Sequence, residues 1–210
     1  MLYHVGIIPD GNRRWARLRG LSLRDAYDAG YLKLKRVLEW LLDFDVKNVS
    51  IYAMSRENCM YRGEAEKRIL YSILGRALKE VRGEPLLKRH NARVVVTGDL
   101  SMMPEHLRVE IERLREETID GGEKLINIGL CYSLEWEIKA YKGDKLPSLN
   151  IPQIDLVIRT GGMRRISGFF PLLIEYAELY FTDTLWPDFS RQELAEAIDW
   201  FYKQKRNFGR

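Results

Sequence analysis

The sequence predicts an α/β protein, a single domain in which about six mostly parallel strands are flanked by helices. Two observations support this prediction. Short strand-like runs alternate along the chain with segments whose apolar residues recur at helical spacing. The chain has 210 residues, of which 46% are hydrophobic and 30% charged, so it can bury a substantial core and is not a disordered chain. We expect one domain over residues 1–210, because no repeat or linker interrupts the pattern.

The strands are predicted from short aliphatic runs that end at turn residues. The first run ends at Pro9, Asp10 and Gly11, a strong turn signal, and the third ends at Gly98 and Asp99. The predicted strands cover residues 3–8, 49–54, 93–97, 125–130, 155–159 and 178–181.

The helices are predicted from apolar positions three and four residues apart and from their end signals. Pro104 marks a helix start and Gly121 its end, and Ser190 with Glu193 forms a capping box for the last helix. The predicted helices cover residues 24–42, 70–81, 104–120, 134–142, 170–177 and 190–207, and residues 55–63 and 143–153 are expected to be loops.

Composition and charge exclude several classes of protein. The 34 basic and 30 acidic residues give a formal net charge of +4, which does not favour a nucleic-acid partner. The two cysteines, Cys59 and Cys131, are too few for a disulfide scaffold, and we expect buried free thiols. No apolar run has the length of a membrane span and no signal-peptide core is present, so a cytoplasmic location, with any action on lipids at the membrane surface, is expected.

The loop after the first strand has the composition of a phosphate site. Ligands of such sheets bind beyond the carboxyl ends of the strands. Gly11 allows a tight turn into a helix whose free N–H groups attract a phosphate, and Arg13 and Arg14 can add charge-assisted hydrogen bonds. Asp10 would repel an anion unless a divalent metal ion bridges the two. The alternative is an ordinary Asp-Gly turn with Asp10 as a helix cap and two solvated arginines.

The loop after the fifth strand is a second candidate anion site. Arg159 ends the strand, and Arg164, Arg165 and Ser167 follow a glycine pair at 161–162. A glycine pair beside arginines is typical of a backbone anion nest. The alternative is a solvated basic loop.

Two weaker candidates lie elsewhere. Glu178 begins the last predicted strand among apolar neighbours, where a carboxylate must be paired, protonated or bound to a metal. The alternative is a glutamate at the sheet edge in contact with water. The loop at 55–62 offers hydroxyl, amide and guanidinium groups, although a polar loop commonly has no such role.

Three long segments of the chain stand out as signature sequences. The first is HVGIIPDGNRRWA at residues 4–16 and the second is YAMSREN at 52–58. The third, over residues 155–189, contains IRTGG, RIS and ELYFTDTLWPDF. In this order, and together spanning nearly the whole chain, they resemble the signatures of the cis-prenyltransferases, the undecaprenyl diphosphate synthase family, in the form of a short archaeal-type member.

The resemblance implies an enzyme that adds isopentenyl diphosphate units in cis to an allylic diphosphate. It also implies Mg²⁺, a homodimer, an apolar tunnel for the growing chain and delivery of the product to a membrane. By position, Asp10 would be the catalytic carboxylate and a metal ligand, Asn58 would assist proton removal, and Glu178 would complete the metal site. The residues implied to bind substrate are Gly11, Asn12, Arg13, Arg14, Trp15, Ser55, Arg56, Glu57, Arg62, Arg159, Arg165, Ile166 and Ser167.

Several positions depart from the family pattern and keep two alternatives open. These positions are Leu23, Tyr27, Cys59, Met163 and Asn207. One alternative is a non-catalytic or partner-requiring subunit of a heteromeric prenyltransferase, although Asp10, Asn58 and Glu178 are all present. The other is a prenyltransferase with an unusual acceptor. Tyr31 stands where the family often has a smaller residue, and it would shorten the product if it faces the tunnel.

Overall fold

A parallel sheet of six strands lies at the centre of the protein, in a computed structural model that describes residues 2–83, 85–141 and 146–207. The strands are β1 (His4–Ile8), β2 (Asn48–Ser55), β3 (Ala92–Thr97), β4 (Lys124–Tyr132), β5 (Leu156–Arg159) and β6 (Glu178–Phe181). Their spatial order is β3-β4-β2-β1-β5-β6, and all neighbouring pairs are parallel. The predicted fold class and all the predicted strands are confirmed, and no strand end differs from the prediction by more than two residues.

Helices cover the sheet, as parallel sheets require because both of their faces are apolar. The helices are α1 (Asn12–Arg19), α2 (Leu23–Asp43), α3 (Arg56–Tyr61), α4 (Glu64–Arg82), α5 (Pro85–Arg89), α6 (Glu105–Glu117), α7 (Leu134–Ala140) and α8 (Arg191–Tyr202). Single 3₁₀ turns lie at Leu100–Met102, Pro171–Leu173 and Trp186–Asp188.

Two hydrophobic cores lie on the two faces of the sheet, because successive side chains of a strand point to opposite faces. Val5 and Ile7 of β1 belong to the main core with α2, α4, α6 and α8. Ile8 belongs to a second core on the other face. The second core contains an aromatic cluster with ring centroids 4.3–6.5 Å apart, formed by Tyr52, Tyr132, Phe169 and Phe170.

Two segments differ from the sequence prediction. Residues 55–63, expected as a loop, contain α3, which Ser55 caps by accepting a hydrogen bond from the N–H of Asn58. Residues 170–177, expected as a helix, form only one short 3₁₀ turn. Phe170 has a φ of 35° and is fully buried in the aromatic cluster, so this apolar run packs as an irregular segment.

The helix ends also differ in places. The last helix stops at Tyr202 instead of residue 207, and beyond it Arg206 Nη1 donates to Asp155 Oδ1 at 3.0 Å. The short helix α5 was not predicted. The predicted helix end at residue 142 and the first residues of the predicted loop at 143–153 lie outside the described residues.

The expectation of free thiols is wrong, because Cys59 and Cys131 form a disulfide bond. They are 72 residues apart in sequence. Their proximity follows from the sheet, in which Ser55 of β2 pairs with Tyr132 of β4 and β2 leads directly into α3.

Within the described residues, no helix combines the length and the apolar composition that crossing a membrane requires.

Candidate active site

Asp10 and Arg159 meet at the carboxyl edge of the sheet. Asp10 follows β1, and Arg159 ends the neighbouring β5, in register with Ile8. Arg159 Nη2 donates to Asp10 Oδ2 at 2.8 Å, and Arg14 Nη2 lies 3.4 Å from Asp10 Oδ1. The Arg159 side chain is 5% exposed and that of Asp10 is 33% exposed. The carboxylate is therefore held from the protein side while part of it faces solvent.

The backbone of Asp10 is fixed as firmly as its side chain. The Thr160 hydroxyl donates to the Asp10 carbonyl at 2.8 Å and accepts from the Asp10 N–H at 3.0 Å. The Trp186 N–H also donates to that carbonyl at 3.0 Å. The sequence places the Thr160 hydroxyl in the candidate anion loop directly after Arg159 and does not predict that it holds the backbone of Asp10.

The start of α1 provides an anion-binding end beside Asp10. Gly11 is the N-cap with a φ of 114°, and it supplies no side-chain cap. The first N–H groups of the helix therefore remain available to an anion, as helix geometry and the helix dipole favour. Arg13 and Arg14 lie in this first turn, with side chains 64% and 34% exposed.

The remaining α1 residues of the predicted site anchor the helix. Trp15 Nε1 donates to Asp188 Oδ1 at 2.8 Å, and the Arg19 guanidinium lies 4.7 Å from the centre of the Trp15 rings. Asn12 Nδ2 donates to the Pro9 carbonyl at 3.4 Å. Trp15 and Asn12 thus set the position of the helix start relative to its neighbours.

The loop after β5 is organised around Arg159. Its Nη1 donates to Ser167 Oγ at 2.8 Å and to the Arg165 carbonyl. The Arg165 side chain is exposed, and Ile166 beside it is half-buried. The loop therefore offers the Arg165 side chain to a ligand while Arg159 holds the loop in place.

The glycine pair does not form the expected anion nest. The N–H groups of Gly161 and Gly162 donate to the carbonyls of Thr184 and Thr182 at 2.8 and 2.9 Å. Since both donors are used within the protein, the side chains of Arg165 and Ser167 are left as the candidate anion-binding groups of this loop.

Asn58 lies in the first turn of α3, at the same edge of the sheet. Its N–H and its Nδ2 both donate to Ser55 Oγ, at 3.2 and 2.6 Å. The Ser55 hydroxyl oxygen accepts both bonds, so the Ser55 and Asn58 side chains are fixed relative to each other. Arg56 Nε lies 3.5 Å from Asp99 Oδ2, and Glu57 is exposed.

Arg62 belongs to a polar cluster that joins three helices. Arg62 Nη1 donates to the Tyr27 hydroxyl at 2.9 Å and lies 3.1 Å from Glu66 Oε1, which also accepts from that hydroxyl. Arg13 Nη1 lies 3.9 Å from Glu66 Oε2. Burial, above all, raises the pKa of Tyr27, so the hydroxyl stays a neutral donor. The sequence does not predict the bond between Glu66 and Tyr27.

Glu178 lies away from Asp10 along the sheet of this chain, and its expected part in the metal site stays a prediction. Glu178 begins β6, in register with Leu156 at the start of β5, whereas Arg159 ends that strand. Three residues of strand separate the two levels by about 10 Å. In the described part of the chain, no three His, Cys, Asp or Glu side chains come together as a metal-binding group.

An apolar cavity of about 190 Å³ lies between α2, α4 and the sheet. It extends from Met54 and Leu130, near the carboxyl ends of β2 and β4, to Ile126 and Leu114 further down the sheet. Tyr31 lines it, and the Tyr31 hydroxyl donates to Glu80 Oε2 at 2.7 Å. The cavity has the position and the lining expected for a hydrocarbon chain that starts at the carboxyl edge.

Comparisons with known proteins agree with this arrangement. The family model that describes the undecaprenyl diphosphate synthase prenyltransferases matches residues 8–144 and 143–209. The chain is 44% identical to a tritrans,polycis-undecaprenyl-diphosphate synthase (geranylgeranyl-diphosphate specific) of Aeropyrum pernix, over 98% of this chain and 97% of the relative. It is 38% identical to an enzyme of the same name from Sulfurisphaera tokodaii, over 98% of this chain and 87% of the relative.

A solved structure is similar throughout its length. Lavandulyl diphosphate synthase from Lavandula x intermedia, crystallised in complex with dimethylallyl diphosphate, is 26% identical and superimposes with a TM-score of 0.89. The match covers 99% of this chain and 98% of the other. The chain therefore belongs to the undecaprenyl diphosphate synthase family, the cis-prenyltransferases.

Proposed function

We propose that this cis-prenyltransferase condenses isopentenyl diphosphate with geranylgeranyl diphosphate, with the help of Mg²⁺, to make a polyprenyl diphosphate. One observation carries the proposal. The Asp10 carboxylate, held by Arg159 and Arg14, lies beside the uncapped start of α1, and an apolar cavity begins at the same edge of the sheet. An allylic diphosphate has the matching parts, an anionic head and a hydrocarbon tail.

The reaction begins when the bond between the allylic carbon and the diphosphate breaks. The bonding electrons leave with the diphosphate, so negative charge grows on its oxygens. The free N–H groups of α1 with Arg13 and Arg14 are placed to accept this charge. Donors that are already in position when charge develops lower the barrier most effectively.

The second substrate supplies the electrons for the new carbon–carbon bond. Arg165 and Ser167, in the loop that Arg159 organises, would hold the diphosphate of isopentenyl diphosphate close to the allylic carbon. The condensed chain then loses a proton to the diphosphate released in the first step, and the electrons of that C–H bond form the new double bond. Asn58 and Ser55 are the groups that would assist this proton removal.

The donor set fits Mg²⁺ bound together with substrate. Proteins commonly hold this ion by one or two carboxylates, with the other positions filled by phosphate oxygens and water. Asp10 is a partly exposed carboxylate beside an anion-binding helix start, and it would be the protein ligand. When bound, Mg²⁺ would neutralise charge on the departing diphosphate.

The proposal includes a homodimer whose product passes to a membrane. Ile138, Tyr141 and Leu149, in and after α7, are 60%, 51% and 58% exposed, and a second copy of the chain would cover them. Light scattering on the purified protein tests the homodimer, and a monomer at micromolar concentration would contradict it.

The polyprenyl product is too apolar to leave as a free solute, which supports its release to a lipid surface.

The alternative acceptor is dimethylallyl diphosphate, the ligand of the similar lavandulyl diphosphate synthase. Geranylgeranyl diphosphate is favoured because the curated relatives from Aeropyrum pernix and Sulfurisphaera tokodaii are named as specific for it. The experiment supplies Mg²⁺, labelled isopentenyl diphosphate and, in separate reactions, geranylgeranyl, farnesyl or dimethylallyl diphosphate, and products are sized by chromatography.

Wild type is expected to make the longest product from geranylgeranyl diphosphate. Asp10→Ala should lose at least about 100-fold in rate. Asp199→Ala, which removes an exposed carboxylate on α8, is the matched control and should keep full activity. A short product from dimethylallyl diphosphate alone would support the alternative acceptor. If folded wild type makes no product with any acceptor, the proposal is wrong, and a missing partner subunit or a different acceptor is tested next.

A further inference from the structure

A disulfide bond ties the short helix α3 to the end of β4. Cys59 lies on α3 and Cys131 near the end of β4, and the two side chains are 4% and 0% exposed. Because β2 continues into α3, the bond closes this corner of the carboxyl edge. The sulfur atoms take no part in the proposed reaction, so their contribution must come through a neighbour.

The short helix α3 needs contacts with the rest of the protein to stay helical. It has six residues, and an isolated helix of that length is unstable in water. Arg56 on α3 lies 3.5 Å from Asp99, and the Asp99 N–H donates to the Cys131 carbonyl at 3.3 Å. The polar contact and the covalent bond therefore hold α3 to the same point of the sheet edge.

Asn58 is the residue next to the disulfide. Both of its hydrogen bonds to Ser55 Oγ lie within the first turn of α3, so the direction of its carboxamide is set by the order of that turn. A displacement of about 1 Å in a reacting group can cost about 100-fold in rate. Fraying of α3 would thus act on Asn58 directly.

We propose that the Cys59–Cys131 disulfide is a positioning element for Asn58 and makes the condensation step depend on the oxidation state of this pair. The proposal rests on the role of Asn58 in the proposed function. The allylic site at Asp10 and α1 is attached to β1, and among the described contacts it reaches the end of α3 through the long 3.9 Å approach of the exposed Arg13 to Glu66, the partner of Arg62. Reduction should therefore slow condensation and leave binding of the allylic diphosphate unchanged.

The redox step is ordinary thiol–disulfide exchange. A dithiol reductant delivers two electrons and two protons, yielding the Cys59 and Cys131 thiols and its own disulfide. A disulfide oxidant takes the two electrons and the two protons back. No other group of the protein changes its oxidation state.

The test compares oxidised wild type, wild type reduced by a dithiol, and the double variant Cys59→Ala and Cys131→Ala, with thiols counted by mass spectrometry. Three quantities are measured: the single-turnover condensation rate, the affinity for geranylgeranyl diphosphate, and hydrogen exchange of the amides of residues 56–61. Asn58→Ala, with the disulfide intact, shows the rate without the carboxamide. Reoxidation of reduced wild type is the rescue, and the alanine variant cannot show it.

We expect the reduced and alanine forms to lose about 10- to 100-fold in condensation rate, with faster exchange in residues 56–61. Their affinity for the primer should stay within about twofold, as for independent sites. Unchanged exchange in residues 56–61, or an unchanged rate in a fully reduced protein, overturns the proposal. So does an equal loss of primer affinity, because a general structural weakening would produce it.

The failure of the proposed function looks different. If oxidised wild type makes no product, the assigned reaction is wrong, and the proposed effect of the disulfide on the condensation rate is wrong as well. If wild type is active and Asn58→Ala is as active as wild type, the reaction stands and the positioning role is overturned.

Discussion

Arg159 Nη2 donates a hydrogen bond of 2.8 Å to Asp10 Oδ2 and so joins the carboxyl ends of β5 and β1. The same guanidinium donates through Nη1 to Ser167 Oγ. One buried cation therefore connects the group that would act on the allylic diphosphate with the loop that would hold isopentenyl diphosphate. The planar guanidinium suits this task because its donors point in fixed directions.

Arg159→Lys tests this connection while keeping the positive charge. A lysine ammonium cannot reproduce the two separate N–H donors of the guanidinium, so the bonds to Asp10 and to Ser167 cannot both be kept. Charge-assisted bonds contribute about 1.5–3 kcal/mol each, so kcat/KM for isopentenyl diphosphate should fall about 10- to 100-fold. Steady-state kinetics at varied concentrations of isopentenyl diphosphate measure this kcat/KM. Arg164→Lys, an exposed change in the same loop, is the control, and equal losses in both variants would contradict the assignment.

Gly161→Ala should displace the carboxylate without changing any ionisable group. Gly161 has a φ of 84°, and an added Cβ would lie 2.9 Å from the Asp10 carbonyl oxygen and 2.6 Å from Arg14 Nη2. Backbone strain of this kind costs about 1–3 kcal/mol, so both the melting temperature and the condensation rate should fall. Thermal unfolding and the product assay measure the two effects.

The control for this change is Gly122→Ala, where an added Cβ meets open space. That variant should match wild type in both measurements. A Gly161→Ala protein with normal stability and activity would show that the contact between this loop and Asp10 is not needed.

The sequence predicts the sheet well because each strand is a local apolar run with its own turn signal. It also predicts that Asp10 and Arg159 share an edge, because both directly follow or end a strand of a parallel sheet. The helix expected at 170–177 is absent because its apolar run does not form a helical face. Phe170 packs instead into the aromatic cluster, whose two tyrosines come from distant parts of the chain.

Contacts between residues far apart in sequence explain the other differences between the predictions and the structure. The sequence predicts that Glu178 begins a strand, which places it at the amino end of a parallel sheet, so its part in a metal site follows from the family resemblance alone. The pairing of Cys59 with Cys131 depends on β4 lying next to β2, which no local pattern encodes. Thr160 bonds to Asp10 and Glu66 bonds to Tyr27, and both of these partners are far away in sequence, so no local pattern predicts the two contacts.

Tyr31→Ala should lengthen the product. The Tyr31 side chain lines the apolar cavity, so its removal enlarges the space for the hydrocarbon chain. The mean chain length of the product should increase by about one isoprene unit, because the volume of the lost phenol ring is close to that of one five-carbon unit. Chromatography of the dephosphorylated products measures this change.

Tyr31→Phe is the matched control, since it keeps the ring and removes only the hydroxyl that donates to Glu80. Its product should have the wild-type length. Longer products from both variants would mean that the bond to Glu80, and not the volume of the ring, limits the chain.

The stability of the protein should fall as the pH is lowered from 6.5, because His4 must stay neutral in the fold. His4 is fully buried, its Nδ1 lies 2.8 Å from the Pro152 carbonyl, and its Nε2 lies 2.9 Å from Ser50 Oγ. Burial lowers the pKa of His4 from 6.5 to about 4, although the nearby Asp155 carboxylate partly opposes this. Since the carbonyl can only accept, Nδ1 carries the proton and Nε2 accepts from the serine.

The direction of the pH effect on stability follows from how many protons the folded and the unfolded protein bind. Between pH 6.5 and 4 the unfolded chain protonates His4 and the folded protein does not, so the free energy of unfolding falls by about 1.4 kcal/mol per pH unit. Urea unfolding at pH 7, 6 and 5 measures the slope, in a range where most carboxylates stay ionised. His4→Gln should flatten it, and His106→Gln, on the exposed face of α6, should leave it unchanged. A wild-type slope equal to that of His4→Gln would show that the buried imidazole does not control the pH dependence.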